Sequence, residues 1–397
     1  MEETSEILYR SIYMNQIIPY MDQNIIKILV GQRRVGKSYI LKSIAQEAMR
    51  RNPDANFVTI NLEDFAFSHI TSAKILHDEI ISRLADNRKN YIFLDEVQEV
   101  KGFDKVVRSL ILDSRNDVYI TGSNSDMLSA EIASRLAGRS IQFHIHPLTY
   151  REFLEFHLLT DSDSSLATYL QYGGLPYLIH LPEQSTWAEY LAGITDAVVY
   201  RDVVARHALR NTDFLQRLLL FLSDNIGQIF NAKRISDFLK SQKVSASVTG
   251  VQSYLEYIKD AYIVNRVRRW DIEGKRYFEF GEKVFFEDLG IRNSIVGYRP
   301  NDIGRLMENA VHNHLAASNY DVKVGVDEID FIAEKDNEYR YVQVALSVMN
   351  DETARREFGN LANISDNYEK TVVTYADSAP NTYQGIRQMS LREFLLS

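Results

Sequence analysis

Apolar positions in the first third of the chain gather into short runs at residues 25–30, 56–62, 91–96, 117–121 and 141–145. Runs of this length, rich in Ile, Val, Phe and Tyr, predict strands. The third run, with four consecutive apolar residues before its acids, predicts a strand buried on both faces. The intervening stretches change period: residues 38–48, without Gly or Pro, and about 72–86 predict helices. Residues 1–24 carry Ile7, Leu8, Ile12, Tyr13, Ile17 and Ile18 at mixed helical spacing and predict one helix or two short ones. Strands each followed by a helix predict a parallel α/β sheet with right-handed crossovers over about residues 23–146.

Pro147 ends that alternation. Residues 148–205 predict helices, broken by the turn signal Tyr172-Gly173-Gly174-Leu175-Pro176. From 207 onward an apolar helix (214–222), a shorter one (234–241) and a third that opens after the hydroxyl run 245–249 precede an alternating hairpin, 263–270 and 276–280. Three helices and a hairpin predict a winged helix. Residues 281–397 predict a second α/β unit, with strands at 284–288, 322–325, 328–333, 339–345 and 370–375 and helices at 306–317 and 352–359. The expected order is a core (1–146), a helical lid (147–205), a winged helix (206–280) and a C-terminal α/β domain (281–397).

The first run feeds straight into Gly31-Gln32-Arg33-Arg34-Val35-Gly36-Lys37-Ser38, which fits G-x-x-x-x-G-K-[ST], the phosphate-binding loop, at the strand-to-helix junction the motif requires. Its glycines let backbone N–H groups face phosphate oxygens, and the helix that follows adds its dipole. Gly31, Arg34, Val35, Gly36, Lys37, Ser38 and Tyr39 are the expected nucleotide contacts. The Lys37 ammonium is expected at the β- and γ-phosphates and the Ser38 hydroxyl on Mg²⁺. The third run ends in Asp95-Glu96, where Asp95 would hold Mg²⁺ through water and Glu96 would act as general base. After the fourth run, Ser123 and Asn124 are candidate γ-phosphate sensors. Arg135 and Arg139, before the fifth, are candidates to reach a γ-phosphate in the same or a neighbouring subunit.

In the last unit a helix acid (Glu308), a strand acid (Asp330) and a polar-x-polar pair reproduce the layout of restriction-enzyme-like nucleases. The pair here is Gln343-Val344-Ala345, where cleavage needs an acid and a lysine, so the expected fold lacks the chemistry. The net charge of −9 argues against nucleic-acid binding over the whole surface. Residues 231–280, with ten basic and six acidic residues, form a local excess suited to duplex phosphates. No cysteine is present, which excludes thiolate metal sites and cysteine nucleophiles. The acidic N-terminus lacks a signal-peptide pattern and no apolar run is long enough to cross a bilayer, so the cytoplasm is the expected address.

Taken together, 31–38, Leu94-Asp95-Glu96, Thr121-Gly122-Ser123-Asn124, 134–139, 172–176, Asp224-Asn225-Ile226-Gly227, 304–309 and Glu328-Ile329-Asp330-Phe331 resemble the prokaryotic AAA+-type ATPases that carry a C-terminal domain of unknown function. The resemblance implies an ATP-binding core, a winged helix and a restriction-endonuclease-like tail, and it alone prefers adenine over guanine. Two readings follow. One is an ATPase using ATP and Mg²⁺, whose nucleotide state moves the lid and the winged-helix module. The other is a nucleotide-gated scaffold with negligible turnover. Duplex DNA, a protein partner at the tail and a second copy of the chain are the expected partners beside ATP and ADP; a membrane is not.

Overall fold

Residues 9–123, 130–271, 276–325, 329–348, 351–376 and 382–397 are described by the computed structural model; Asn124 lies outside them. The chain divides into two units, Met1–Ile145 and His146–Ser397.

In the first unit α1 (Ser11–Ile17) precedes β1 (Ile26–Val30), α2 (Lys37–Arg51), β2 (Asn56–Asn61), α3 (Ala73–Arg83), β3 (Asn90–Asp95), α4 (Phe103–Leu110), β4 (Asn116–Gly122), α5 (Ala130–Leu136) and β5 (Ser140–His144). The five strands form one parallel sheet in the order β2-β3-β4-β1-β5. Every residue of β1, β3 and β4 is buried, as continuous apolar runs demand when helices cover both faces. Because β4 pairs with both β1 and β3, its C-terminal end lies between theirs.

The apolar pattern of β1 conceals one charge. Lys27 and Asp117 form an ion pair with both side chains fully buried. The Lys27 ammonium also donates to the Gln23 carbonyl (2.7 Å), while Asp117 accepts from Tyr119 Oη and the Asp22 N–H, each at 2.8 Å. Burial pulls the lysine down from its ordinary range and Asp117 works against that pull. Asp117→Ala leaves an ammonium buried without its counter-charge and is expected to cost about 3–5 kcal/mol, read as a lower urea midpoint. Lys27→Met combined with Asp117→Leu is expected to regain most of it.

The second unit starts with α6 (Tyr150–Phe156), α7 (Asp163–Tyr172) and α8 (Trp187–Ala197), the last running on into a π-helical stretch, Val198–Ala205. Then come α9 (Thr212–Asp224), α10 (Ala232–Ser241), α11 (Val248–Asp260) and the hairpin β6 (Val264–Asp271) and β7 (Arg276–Phe286). After α12 (Leu289–Val296) and α13 (Ile303–Ala317) the chain forms β8 (Asp321–Gly325), β9 (Phe331–Lys335), β10 (Glu338–Ala345), α14 (Asp351–Ala362), β11 (Glu369–Thr374), β12 (Thr382–Tyr383), β13 (Ile386–Ser390) and α15 (Leu391–Leu395). Helices α10 and α11 open on Asn231 and Ser247, whose side chains accept the N–H of Arg234 and Gly250.

The hairpin departs from the sequence expectation of a unit closing at 280. Strand β7 runs on to Phe286, and its end, Val284-Phe285-Phe286, is wholly buried. Strand β6 pairs in parallel with β8, so hairpin and C-terminal strands share one sheet, β12-β13-β11-β10-β9-β8-β6-β7. Sequence period reports that a strand is amphipathic; it does not report which sheet it joins.

The Gly173-Gly174 turn has a steric cause. A Cβ on Gly174 would lie 2.3 Å from the Leu148 carbonyl oxygen. The buried Asp288, at the N-cap of α12, accepts the Gly174 N–H (2.7 Å) and the Ile291 N–H (3.0 Å). Burial pushes Asp288 up to about 6, against those backbone donors. Burial pushes His312 and His314 of α13 down to about 4.

The two shifts give opposite pH dependences. Unfolded histidine takes its proton near pH 6.5, so each buried histidine costs stability as pH falls from about 6.5 to 4. Asp288 binds its proton earlier in the folded than in the unfolded chain and so adds stability as pH falls from about 6 towards 4. Among these three groups the two histidines outweigh the aspartate, and together they are expected to cost on the order of 3–4 kcal/mol over that interval. Thermal melts between pH 7 and 4.5 check this, with His312→Phe giving a shallower acid limb.

Candidate functional site

The turn after β1 is set by backbone sterics. Gly31 has φ +147°, and a Cβ there would lie 2.2 Å from the Ile145 carbonyl oxygen. Arg34 and Gly36 are left-handed (φ +71° and +94°) before α2 begins at Lys37; such residues are what let successive N–H groups converge on an anion. Val35 is fully buried, with its carbonyl held by the Arg10 guanidinium (3.1 Å), whereas Arg34 and Tyr39 are exposed. The buried Lys37 ammonium donates to the carbonyls of Gly31 and Gln32, both at 2.9 Å. Gln32 is fully buried, and neither atom of its side-chain amide has a partner among the described residues.

The end of β4 and the first turn of α2 meet Asp95 at the end of β3. Its Oδ1 accepts from the Thr121 hydroxyl at the end of β4, and it also accepts from the hydroxyl of Ser38 in α2. Thr121 Oγ1 in turn accepts the Glu96 N–H (3.0 Å). Burial pushes Asp95 up, and the two hydroxyl donors with the Lys37 charge oppose the rise. Glu96 adopts φ +56°, a left-handed conformation unusual for a residue other than glycine. Its carboxylate accepts from the Gln98 side-chain amide, which also donates to Ser123 Oγ (3.3 Å).

The structure thus brings Lys37, Ser38, Asp95, Glu96 and Ser123 to one edge of the sheet. Arg135, in the last turn of α5, donates to Asp104 of α4 (3.3 Å). The Arg139 side chain is exposed, and its carbonyl accepts the Ile26 N–H (2.9 Å). Thr121 and Gln98 carry no role in the sequence reading. The signal for Thr121 was its place as the last polar residue of an apolar run; for Gln98 it was a polar residue two positions beyond the acid pair.

A second polar cluster lies in the C-terminal unit. Glu308 on α13 and Asp330 before β9 come together as expected, but a lysine reaches them from β7, between the two strands the sequence reading placed at 276–280 and 284–288. Lys283 of β7 donates to Glu308 Oε1 (2.6 Å) and Asp330 Oδ1 (3.0 Å). Burial works to lower this ammonium, but the charges of Asp330 and Glu308 outweigh it and hold it above its ordinary range. Asp330 Oδ2 is taken by the Val344 N–H (3.0 Å). Gln343 accepts the Asp330 N–H (3.2 Å) and donates to Glu357 of α14 (2.7 Å). Among the described residues, no third acid or histidine completes a metal-holding group with Glu308 and Asp330.

Of the basic set at 231–280, Arg266 is engaged by Glu256 and by Glu282 (2.7 Å) and Lys233 by Asp237 (2.6 Å). Arg234, Lys240 and Lys243 are exposed about α10.

A family model described as an AAA domain matches residues 23–154, and one described as a domain of unknown function matches 163–302. An uncharacterized protein of Haemophilus influenzae is 32% identical over 400 residues, covering 98% of this chain and 99% of its own. An uncharacterized protein of Methanocaldococcus jannaschii is 30% identical over 377 residues, covering 89% and 83%. Among solved structures, the Aeropyrum pernix ORC1 protein in complex with DNA matches at 11% identity and a TM-score of 0.36, over 74% of this chain and 94% of that one. AMPPCP-bound DnaA from Aquifex aeolicus matches at 14% identity and a TM-score of 0.31, over 62% and 86%. These structural overlaps are loose. No helix among the described residues is long and apolar enough to cross a membrane.

Proposed function

Because the chain belongs to the AAA+ P-loop ATPases, we propose that residues 9–145 bind ATP with Mg²⁺ and hydrolyse it to ADP and phosphate. The observation that carries this is the hydroxyl-carboxylate chain Ser38–Asp95–Thr121, with the Glu96 N–H on the same Thr121 oxygen. It ties the phosphate loop to the acid pair. The residues fit the ligands: hard oxygen donors at Ser38 and Asp95 suit Mg²⁺, and the buried, unpartnered Gln32 amide sits within the loop itself. Bound there, Mg²⁺ would neutralise charge shared by the β- and γ-phosphate oxygens.

The protein's own groups do the rest. The loop N–H groups and the Lys37 ammonium, exchanging carbonyls for phosphate oxygens, hold the substrate. The Glu96 carboxylate takes the proton of the attacking water as the γ-phosphorus bond to the β-phosphate oxygen breaks. Arg135 is held by Asp104, and Arg139 stands beside the N-terminal end of β1, at the sheet edge away from the phosphate loop, so a finger role for Arg139 would be exercised on a neighbouring subunit. Residues 147–205 are assigned as the lid and 206–280 as a winged helix whose strands extend the C-terminal sheet. Residues 281–397 are assigned as a restriction-endonuclease-like domain without cleavage chemistry. The exposed Arg234, Lys240 and Lys243 support duplex DNA as a partner.

Steady-state phosphate release by the full chain, with and without duplex DNA, tests the reading. Turnover that DNA stimulates is the expected result. Tight ATP binding with no release in either condition would replace it with a nucleotide-gated scaffold.

A further inference from the structure

The turn after the acid pair holds a residue with no assigned part. Residues Val97–Glu99 form a single 3₁₀ turn, entered through the left-handed Glu96. That turn folds the Gln98 side chain back over its neighbour, where the amide Nε2 donates to Glu96 Oε2 and to Ser123 Oγ (3.3 Å). The orientation of the amide is fixed by chemistry: a flipped group would set its carbonyl oxygen against the Glu96 carboxylate. Both partners are nearly buried, Glu96 at 8% and Ser123 at 1% exposure, so the contact is not a loose surface pairing. The remaining amide atom, Gln98 Oε1, is buried and has no donor among the described residues. A buried carbonyl beside a general base is an acceptor ready for a proton donor brought by the substrate side of the reaction.

Resting on the ATPase reading, we propose that Gln98 is the positioning residue of the hydrolytic step. Its N–H pair fixes the Glu96 carboxylate and links it to Ser123 at the end of β4. Its carbonyl oxygen is the second acceptor that orients the attacking water beside Glu96. The Ser123 link makes the base responsive to the γ-phosphate end of the site, because β4 lies between the phosphate-loop strand and the acid-pair strand. Whatever Ser123 bonds is then felt at Glu96 through one side chain.

The test is kinetic and uses the full chain. Gln98→Ala and Gln98→Glu are compared with wild type for kcat, and for ATP affinity by displacement of a fluorescent nucleotide. Each is also combined with Glu96→Gln. The expected result is a kcat lowered about 10- to 100-fold with affinity kept within about twofold. Gln98→Glu, which opposes Glu96 with a like charge, is the lower of the two. In the Glu96→Gln background Gln98→Ala produces no further loss, because the two act as one unit. Wild-type turnover from Gln98→Ala, a matching loss of affinity, or full additivity with Glu96→Gln each overturns the role of Gln98 while leaving the ATPase standing. Absence of turnover in the wild type overturns the ATPase reading and this inference with it.

Discussion

Glu96→Gln lowers steady-state ATP turnover about 10²- to 10⁴-fold, the range a positioned general base contributes, and leaves ATP affinity within about twofold of wild type. The split follows from where each group sits. Ground-state grip belongs to the phosphate loop, whose backbone shape rests on Gly31, Arg34 and Gly36, and to the Lys37 ammonium. Nothing in that grip involves the Glu96 side chain, whose contact is with Gln98. The glutamine keeps the volume of the side chain and loses only the oxygen able to take a proton. Lys37→Ala should behave in the opposite sense, losing affinity first. Phosphate release and fluorescent-nucleotide displacement on the same preparations decide it: equal losses of kcat and affinity in Glu96→Gln would mark the residue as structural.

The phosphate loop and the acid pair were legible because their signals are local. The loop needs glycine where β1 turns against Ile145, and the acids end an apolar run whose burial the run itself announces. The parallel order of the first sheet was legible for a similar reason, since each strand hands on to a helix. What escaped was every interaction whose partner is far away in sequence. Lys27 interrupts an apolar run by one position, and only the three-dimensional register, which sets Lys27 beside Tyr119 two residues from Asp117, explains its presence. Arg10 reads as a polar residue near the N-terminus, yet it holds the Val35 carbonyl. The antiparallel pairing of the hairpin strands was legible, the turn itself lying outside the described residues, but the hairpin's membership of the C-terminal sheet depends on pairing with β8 some fifty residues on. The tail showed the same limit most sharply, because an absent lysine at Ala345 says nothing about a lysine arriving on another strand.

That lysine sets an expected stability effect as large as that of Asp117→Ala. Lys283→Ala is expected to cost the C-terminal unit about 3–5 kcal/mol, the usual consequence of removing one member of a buried ion cluster. The side chains of Lys283, Glu308 and Asp330 are only 10%, 15% and 17% exposed, so water cannot take over the solvation the ammonium provides. Burial, and then the Asp330 charge, push Glu308 up, and Lys283 is what pulls it back. Even against Lys283 the folded state holds Glu308 up at about 8, so its proton is bound more tightly than in the unfolded chain, and without the ammonium more tightly still. The variant is therefore least damaged below the carboxyl's unfolded pKa and loses stability as pH rises through its raised folded value. Denaturant midpoints at pH 5 and pH 8 should separate further for Lys283→Ala than for wild type. Lys283→Met with Glu308→Gln should recover much of the loss at pH 8, because it removes the unpaired charge while keeping the volume. Failure of that rescue, with a pH-independent deficit, would show that the lysine acts through packing of its stem rather than through its charge. The same measurement bears on how the cluster is held: Glu308 and Asp330 both pair with the Lys283 ammonium, and the folded unit keeps that charge between them.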